Sequence, residues 1–423
     1  MKVSALAQAG YRNLPDDFER HFDAGVTTPW HLTEPGEVHA AFRDYLDCLM
    51  LAARLGFDGV GFTEHGQSSY DMVANPSLVG AALAYATEAE NLKVAINPVG
   101  RSLGKAREPV RVAEEYAMID CISGGRLIAG FPVGLLYDAS INNGVPPIEV
   151  RARFDENLPL VLKAWRDQTP FAWNGKFAQH PCVNIWPRPL QQPSPPVWIT
   201  GIGNPTTFQL ALKNNFGFNY FGWFGAKLTG PRIFERFWET AFKLSVPQNP
   251  YRMGFMQTVC VAETDAQAER KFARHIEYFF NKGIGAVPLE KLAIPGGISL
   301  PGIQFILRDH AGDFGFYAKM RTAKFAEIVD AGAVVCGSPE TVTEQLIEIA
   351  RTNRIGNLMV MLKVGSMTRD LTEENVTLFA QKVLPKLRNV WANEPWEHHW
   401  WPSRLGGRPA ATATELTATG GVQ

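Results

Sequence analysis

The chain has 423 residues, 46% hydrophobic and 20% charged, a globular composition that excludes a collagen-like, disordered or low-complexity protein over most of the length. Lysine plus arginine (41) nearly balance aspartate plus glutamate (42), for a net charge of −1. No global basic field is there to hold nucleic acid or an anionic membrane, and no apolar run approaches the roughly 18 residues of a membrane span. The length suits two or three domains, or one α/β barrel with insertions.

The N-terminal MKVSALAQAGYR is too short in its apolar part for a signal-peptide core and reads as a first strand. Further strands are expected at Gly59–Thr63, Val94–Pro98, Leu127–Phe131, Val197–Thr200, Tyr220–Trp223, Phe255–Ala262 and Asn357–Val364, after Val3–Leu6. Several are near-continuously apolar, as in parallel strands covered on both faces. Between them the spacing predicts helices over Phe42–Leu55, stopped by Gly56, over Pro109–Cys121, stopped near Gly124-Gly125, and over Phe154–Trp165, Thr206–Asn214 and Thr341–Arg351. Ser338-Pro339-Glu340 supplies a cap, a first-turn proline and an acidic residue for the last of these. Eight strands alternating with helices imply a parallel sheet, and eight is the number that closes a (β/α)8 TIM barrel, although a doubly wound sheet has the same periodicity.

Residues 283–316, rich in glycine and proline, read as a long lid-like loop over an active site. The barrel domain is expected to span 1–390, followed by a C-terminal tail, 391–423, that docks on the body or a second subunit and ends disordered. The five cysteines, Cys48, Cys121, Cys182, Cys260 and Cys336, are far apart, without C-x-x-C or zinc-type spacing. They read as reduced thiols of a cytoplasmic protein without a metal site.

In a barrel, chemistry belongs at the C-terminal ends of the strands. The second strand ends in Thr63-Glu64-His65, where a histidine can act as a general base or merely hydrogen-bond a loop, and Glu64 is expected to pair with an arginine or a helix N-terminus. The third ends in Asn97-Pro98, a place where a proline invites a special backbone geometry or simply ends the strand. After the fifth come Gly201-Ile202-Gly203-Asn204-Pro205-Thr206-Thr207 and a helix, a glycine turn and helix N-terminus suited to an anion. From Gln168 to Phe234 there is no acidic residue. A dinucleotide site is disfavoured, since the third glycine and the later acidic residue are absent. Arg151 and Arg153 could clamp a phosphate or pair with nearby carboxylates. Phe131, Trp198, Tyr220, Phe221, Trp223 and Phe224 could wall a flat ring system or be core.

Together these motifs resemble the bacterial luciferase-like flavin monooxygenases. The best stretch is Pro109-Val110-Arg111-Val112-Ala113-Glu114-Glu115, then Ile119-Asp120 and Ser123-Gly124-Gly125-Arg126. Thr63-Glu64-His65 with Asn75-Pro76, Arg151 through Asp155, Pro196–Thr207 and Gly337-Ser338-Pro339-Glu340 also match. The resemblance implies a (β/α)8 barrel with reduced FMN (FADH2 in some relatives) at its C-terminal mouth. His65 falls on the catalytic histidine, a cis peptide under the flavin ring falls on Asn97–Pro98, and the phosphate loop on Gly201, Gly203, Asn204, Thr206 and Thr207. Phe131 and Pro132 join the cofactor contacts, and Trp198, Tyr220, Trp223 and Phe224 the substrate pocket. The family's phosphate-binding arginine after the fourth strand is absent from Gly130–Gly134, which moves that role to Arg151, Arg153 and the Gly201 loop. The implied activity inserts one oxygen atom from O2 into a small organic substrate, by hydroxylation or Baeyer–Villiger chemistry, with an NAD(P)H:flavin reductase supplying reduced FMN to a homodimer. The alternatives are a deazaflavin-dependent oxidoreductase that transfers hydride, and a non-catalytic flavin-binding protein.

Overall fold

The computed structural model describes residues 1–408 except 23–27, 135–139, 141, 223–226, 228–229, 285–303 and 305–318. Nearly all of the expected lid, the expected pocket residues Trp223 and Phe224, and the end of the tail lie outside the described residues.

Eight parallel strands form the barrel: β1 (Lys2–Leu6), β2 (Gly59–Phe62), β3 (Ala95–Pro98), β4 (Ala129–Pro132), then, after a hairpin of β5 (Phe171–Asn174) and β6 (Gln179–Val183), β7 (Val197–Gly201), β8 (Gly217–Tyr220), β9 (Met253–Val261) and, past β10 (Val334–Gly337), β11 (Asn357–Met361). The order β3-β2-β1-β11-β9-β8-β7-β4 is continuous, and a parallel bridge between Ile96 and Leu127 closes β3 on β4. This is the TIM-barrel architecture. The sheet has a ninth strand because β9 is long: β8 pairs with its start, Phe218 opposite Met253, while β10 pairs with its end, Cys336 opposite Cys260.

Proline at the first helical position, where the missing N–H is harmless, opens the helices Pro35–Arg54, Pro76–Ala89, Pro109–Ile122, Pro147–Arg166, Pro205–Lys213 and Pro339–Asn353. Gly56, Gly124 and Gly125 have positive φ where the first and third of these stop, as the spacing predicts. The hairpin is an insertion held by one side chain: Glu156 accepts the N–H groups of Lys176, Phe177 and Ala178 in its turn.

Two expectations about strands change. The sixth barrel strand is Gly217–Tyr220 and ends where it was expected to begin. The peptide bond between Asn97 and Pro98 is trans; among the described residues the cis bonds are Trp186–Pro187 and Gln192–Pro193. Asn97 and Pro98 are both ladder residues, opposite Gly61 and Phe62, and the Val99 N–H donates to the Phe62 carbonyl at 2.8 Å, so the strand runs straight through its proline.

The C-terminal segment closes the N-terminal end of the barrel. The terminal amine of Met1 donates to the carbonyls of Arg388 and Val390, Lys2 lies over the Trp401 ring, and Trp400 donates to the carbonyl of Asn215 just before β8. The described part of the tail therefore docks on the body. The expected site residues at the strand ends lie at the other end of the barrel.

Candidate active site

At the C-terminal end of β2, Thr63, Glu64 and His65 are all buried. Glu64 meets an arginine as expected, accepting from Arg101 at 2.8 Å and from the Ser102 N–H at 2.9 Å. Arg101 also reaches Glu115, which Ser77 bonds. This ties the ends of β2 and β3 to the helices outside them.

His65 and Tyr70 share a 2.6 Å hydrogen bond between the ring Nδ1 and the phenol oxygen. Where the phenol donates, the imidazole proton sits on Nε2. Directly behind them Asp71, fully buried, accepts from the Thr63 hydroxyl at 2.5 Å and from the N–H groups of Ala9 and Val73. Burial pushes the Asp71 carboxyl above its ordinary range, against the pull of His65 and these donors. Tyr70 and Asp71 escaped the sequence reading, although they follow His65 by only five and six positions. Both lie on the loop that pairs with the segment after β1, Tyr11 N–H to Ser69 O and Met72 N–H to Ala9 O.

At the end of β7 the chain turns through Gly203, φ +80°, into Asn204, whose side chain accepts from the Thr207 N–H at 3.0 Å and caps Pro205–Lys213. A Cβ on Gly203 would lie 2.8 Å from the Phe208 ring, so only glycine fits the turn. The hydroxyl of Thr200, just below, is buried without a hydrogen-bond partner. Pro132 reaches the same mouth: its Cγ lies 3.8 Å, and the Thr63 Cα 3.9 Å, from where a Cβ of Gly100 would stand. Asn97 is buried on β3.

Other expected site residues point elsewhere. Asn219 bonds the Met359 sulfur although β9 separates their strands, so both side chains lie inside the barrel. By the two-residue alternation of a strand, Tyr220 then faces outward; it meets Phe234 of the helix Gly230–Lys243 edge-on and stacks on Phe255. Phe131 likewise faces the helices, stacked on Tyr116 and Trp165. Trp198 is inside, but near the start of β7: its indole donates to the Trp400 carbonyl at 3.0 Å and plugs the barrel's N-terminal end. These three do not line the mouth. Arg151 is held by Asp155, with Nε 3.0 Å from both oxygens, and Arg153 by Glu149 at 2.8 Å, each one turn away on its own helix.

Much of the sequence signature is structural. Arg126 is 1% exposed and donates to the carbonyls of Ser123, Val94 and Ala84, the last within the helix Pro76–Ala89. Asp120 accepts from Gln191 and from the Leu127 N–H. Together they fix the turn entering β4. Among the described residues no cluster of three or more metal-ligating side chains occurs, and no helix is long and apolar enough to cross a membrane.

A parallel eight-stranded barrel with a buried histidine and a glycine turn at the C-terminal ends of its strands has the architecture of the TIM-barrel enzymes, and the comparisons specify the class. Residues 22–353 match the family of luciferase-like monooxygenases, and the chain belongs to that family. Over 381 residues it is 24% identical to limonene 1,2-monooxygenase of Rhodococcus erythropolis, covering 88% of both chains. It is 29% identical over 176 residues to the oxygenase component of flavin-dependent trigonelline monooxygenase of Acinetobacter baylyi, a match to 41% of this chain and 46% of that one. That match thus spans about half the relative's length. Among solved structures, the oxygenating constituent of 3,6-diketocamphane monooxygenase from Pseudomonas putida, a type II Baeyer–Villiger enzyme in complex with FMN, superposes with a TM-score of 0.68 at 19% identity over 91% of this chain and 98% of that one. An F420-dependent secondary alcohol dehydrogenase superposes at 0.61 with 13% identity, over 92% and 99%.

Proposed function

We propose that the protein is the oxygenase component of a two-component flavin monooxygenase, which takes reduced FMN from an NAD(P)H:flavin reductase and inserts one oxygen atom from O2 into a small organic substrate. The observation that carries this reading is the pairing, at one barrel mouth, of the buried His65–Tyr70 hydrogen bond with the glycine turn and helix N-terminus after β7.

The residues present fit a flavin. Thr200 offers a buried hydroxyl without a partner, Gly203 and Thr206 open the helix Pro205–Lys213, and its N-terminal dipole suits the phosphate. Asn97 and Pro132 are the candidates at the ring. A role for Arg151 or Arg153 requires exchange of Asp155 or Glu149 for the phosphate. The bound reduced flavin supplies the electrons that activate dioxygen. The chain's part is to exclude water and handle a proton. His65 is the general acid–base group, with Tyr70 fixing its ring and tautomer and Asp71, held by Thr63, setting the local charge.

The cytoplasm is the proposed compartment, in keeping with five free cysteines. A homodimer is supported by Leu78, Tyr85, Met118 and Ile122, apolar residues 36–72% exposed on the neighbouring helices Pro76–Ala89 and Pro109–Ile122.

Anaerobic titration with chemically reduced FMN, followed by mixing with oxygenated buffer, tests the reading. Binding of reduced FMN, with a reoxidation rate that changes in His65→Ala, is expected. Binding of a reduced deazaflavin but not of FMN would replace the reading by hydride transfer, and binding of neither would refute it.

A further inference from the structure

The mouth contains a second buried polar group that no step above uses. Lys363, just beyond β11, and Gln8, just beyond β1, are 6% and 4% exposed and line one small pocket. Both amide atoms of Gln8 lack a hydrogen-bond partner. Among the described residues the Lys363 ammonium has neither an ion pair within 4.0 Å nor a hydrogen bond. The nearby carboxylates are engaged: Asp44 by Arg12 at 3.1 Å, and Asp71 by its three donors. The backbone there has no room for side chains, since a Cβ on Gly10 would stand 2.9 Å from the Tyr70 carbonyl and one on Gly365 2.2 Å from that of His275. The rest of the wall is largely apolar and aromatic: Tyr11, Leu14, Tyr70, Tyr278 and Phe279. Phe279 opens a π-helical turn, Phe279–Gly283, a distortion found at functional sites.

A buried, unpaired ammonium beside an unsatisfied amide costs stability in the empty protein. It is accounted for if an anion completes it. We propose that Lys363 and Gln8 form a recognition subsite for the carboxylate head of an organic acid, whose apolar body leads out of this open pocket of about 20 Å³ past Tyr11, Leu14 and Phe279. The cation balances the carboxylate's charge, and the Gln8 amide N–H bonds its second oxygen. Tyr70 lines this pocket and bonds His65, so an acid held here is presented to the site's proton-handling group. One cation and one amide suit a monoanionic carboxylate; a phosphate dianion needs more donors. Burial lowers the Lys363 pKa, opposed by Cys48, Asp44 and Asp71 and reinforced by Arg12, and a bound carboxylate restores the charged form. The proposal rests on the monooxygenase reading only in calling the acid a substrate.

The test is binding without flavin or oxygen, so its failure is separate from failure of the flavin titration. Benzoate is the probe and benzamide its neutral isostere, followed by saturation-transfer NMR at pH 7. Wild type should bind benzoate at least tenfold more tightly than benzamide, Lys363→Met should abolish that preference, and Gln8→Leu should weaken benzoate several-fold. Empty Lys363→Met should melt at or above wild type, because an unpaired buried charge has been removed. Equal affinity for benzoate and benzamide in wild type would overturn the proposal, as would benzoate affinity unchanged in both variants. Displacement of benzoate by inorganic phosphate of higher affinity would overturn it too, by assigning the site to a phosphate.

Discussion

Gly203 gives the most direct test of where the flavin phosphate is held. Its φ of +80° lies in the left-handed region, and an added Cβ would stand 2.8 and 2.9 Å from two carbons of the Phe208 ring and 3.2 Å from Ile233. The conformation costs an alanine about 1–2 kcal/mol, and the overpacking about 1–3 kcal/mol more. Phe208 is wholly buried and packs edge-on against Phe218 and Phe237, so the loop moves in preference to the ring. That displaces Asn204 and the helix N-terminus it caps. Each 1.4 kcal/mol of that cost transferred to binding lowers affinity about tenfold, so Gly203→Ala should weaken reduced FMN by about 10- to 100-fold. Reduced riboflavin, which lacks the phosphate, should lose less than about threefold. Gly201 is the matched control, since a Cβ there meets nothing closer than the Gly203 nitrogen at 3.9 Å, and Gly201→Ala should keep wild-type melting. Anaerobic titration of both flavins, with circular dichroism to verify folding, decides it. Equal losses for FMN and riboflavin, or no loss in a folded Gly203→Ala protein, would refute the phosphate assignment.

Tyr70→Phe should leave the melting temperature within a few degrees of wild type but change the NMR titration of His65, because the 2.6 Å partner of Nδ1 is gone; an unchanged titration would remove Tyr70 from the site. Arg126→Met takes the side-chain donor from the Val94 carbonyl and one of several donors from those of Ser123 and Ala84 and should cost about 1–3 kcal/mol in a urea melt while the folded fraction still binds flavin. Trp400→Ala removes a buried ring from the plugged barrel end and should cost about 3–5 kcal/mol, a figure that a melt near wild type would contradict. Burial lowers His275 and His398 to about 4, below their unfolded value of roughly 6.5. The unfolded state therefore binds more protons between those values, and stability is lost as pH falls through that window. Melting temperatures at pH 7, 5.5 and 4.5 should drop in wild type and drop less in His275→Gln; a flat profile would refute the assignment.

Reading the strand ends located His65 and the Gly201–Thr207 turn, because each is a local pattern: a polar residue or a glycine pair where an apolar run stops. The same reading applied to the ends of β1 and β11 would have reached Gln8 and Lys363. Nothing local marks them, since the pocket they share forms only when residues 355 positions apart in the chain become neighbouring strand ends. For the aromatics, where the sequence leaves ring wall and core both open, the choice is made by another feature. Gly217 resembles a turn residue, yet it starts β8 because a Cβ there would overlap the Trp198 indole at 2.5 Å. Starting the strand at Gly217 fixes which residues face inward and turns Tyr220 to the helices.

By itself the sequence determined the alternation of strands and helices, the helix starts and stops, the family, and the histidine and glycine turn at two strand ends. All of these depend on chemistry within a few residues, such as a proline first turn, a capping asparagine or a glycine with positive φ. Only the tertiary structure decided that Ile96 meets Leu127 to close the barrel, that Trp198 and the tail seal one end, and that Asp71, Tyr70, Gln8 and Lys363 gather at the other. Burial and face are properties of packing, and packing is set by contacts between residues far apart in the chain.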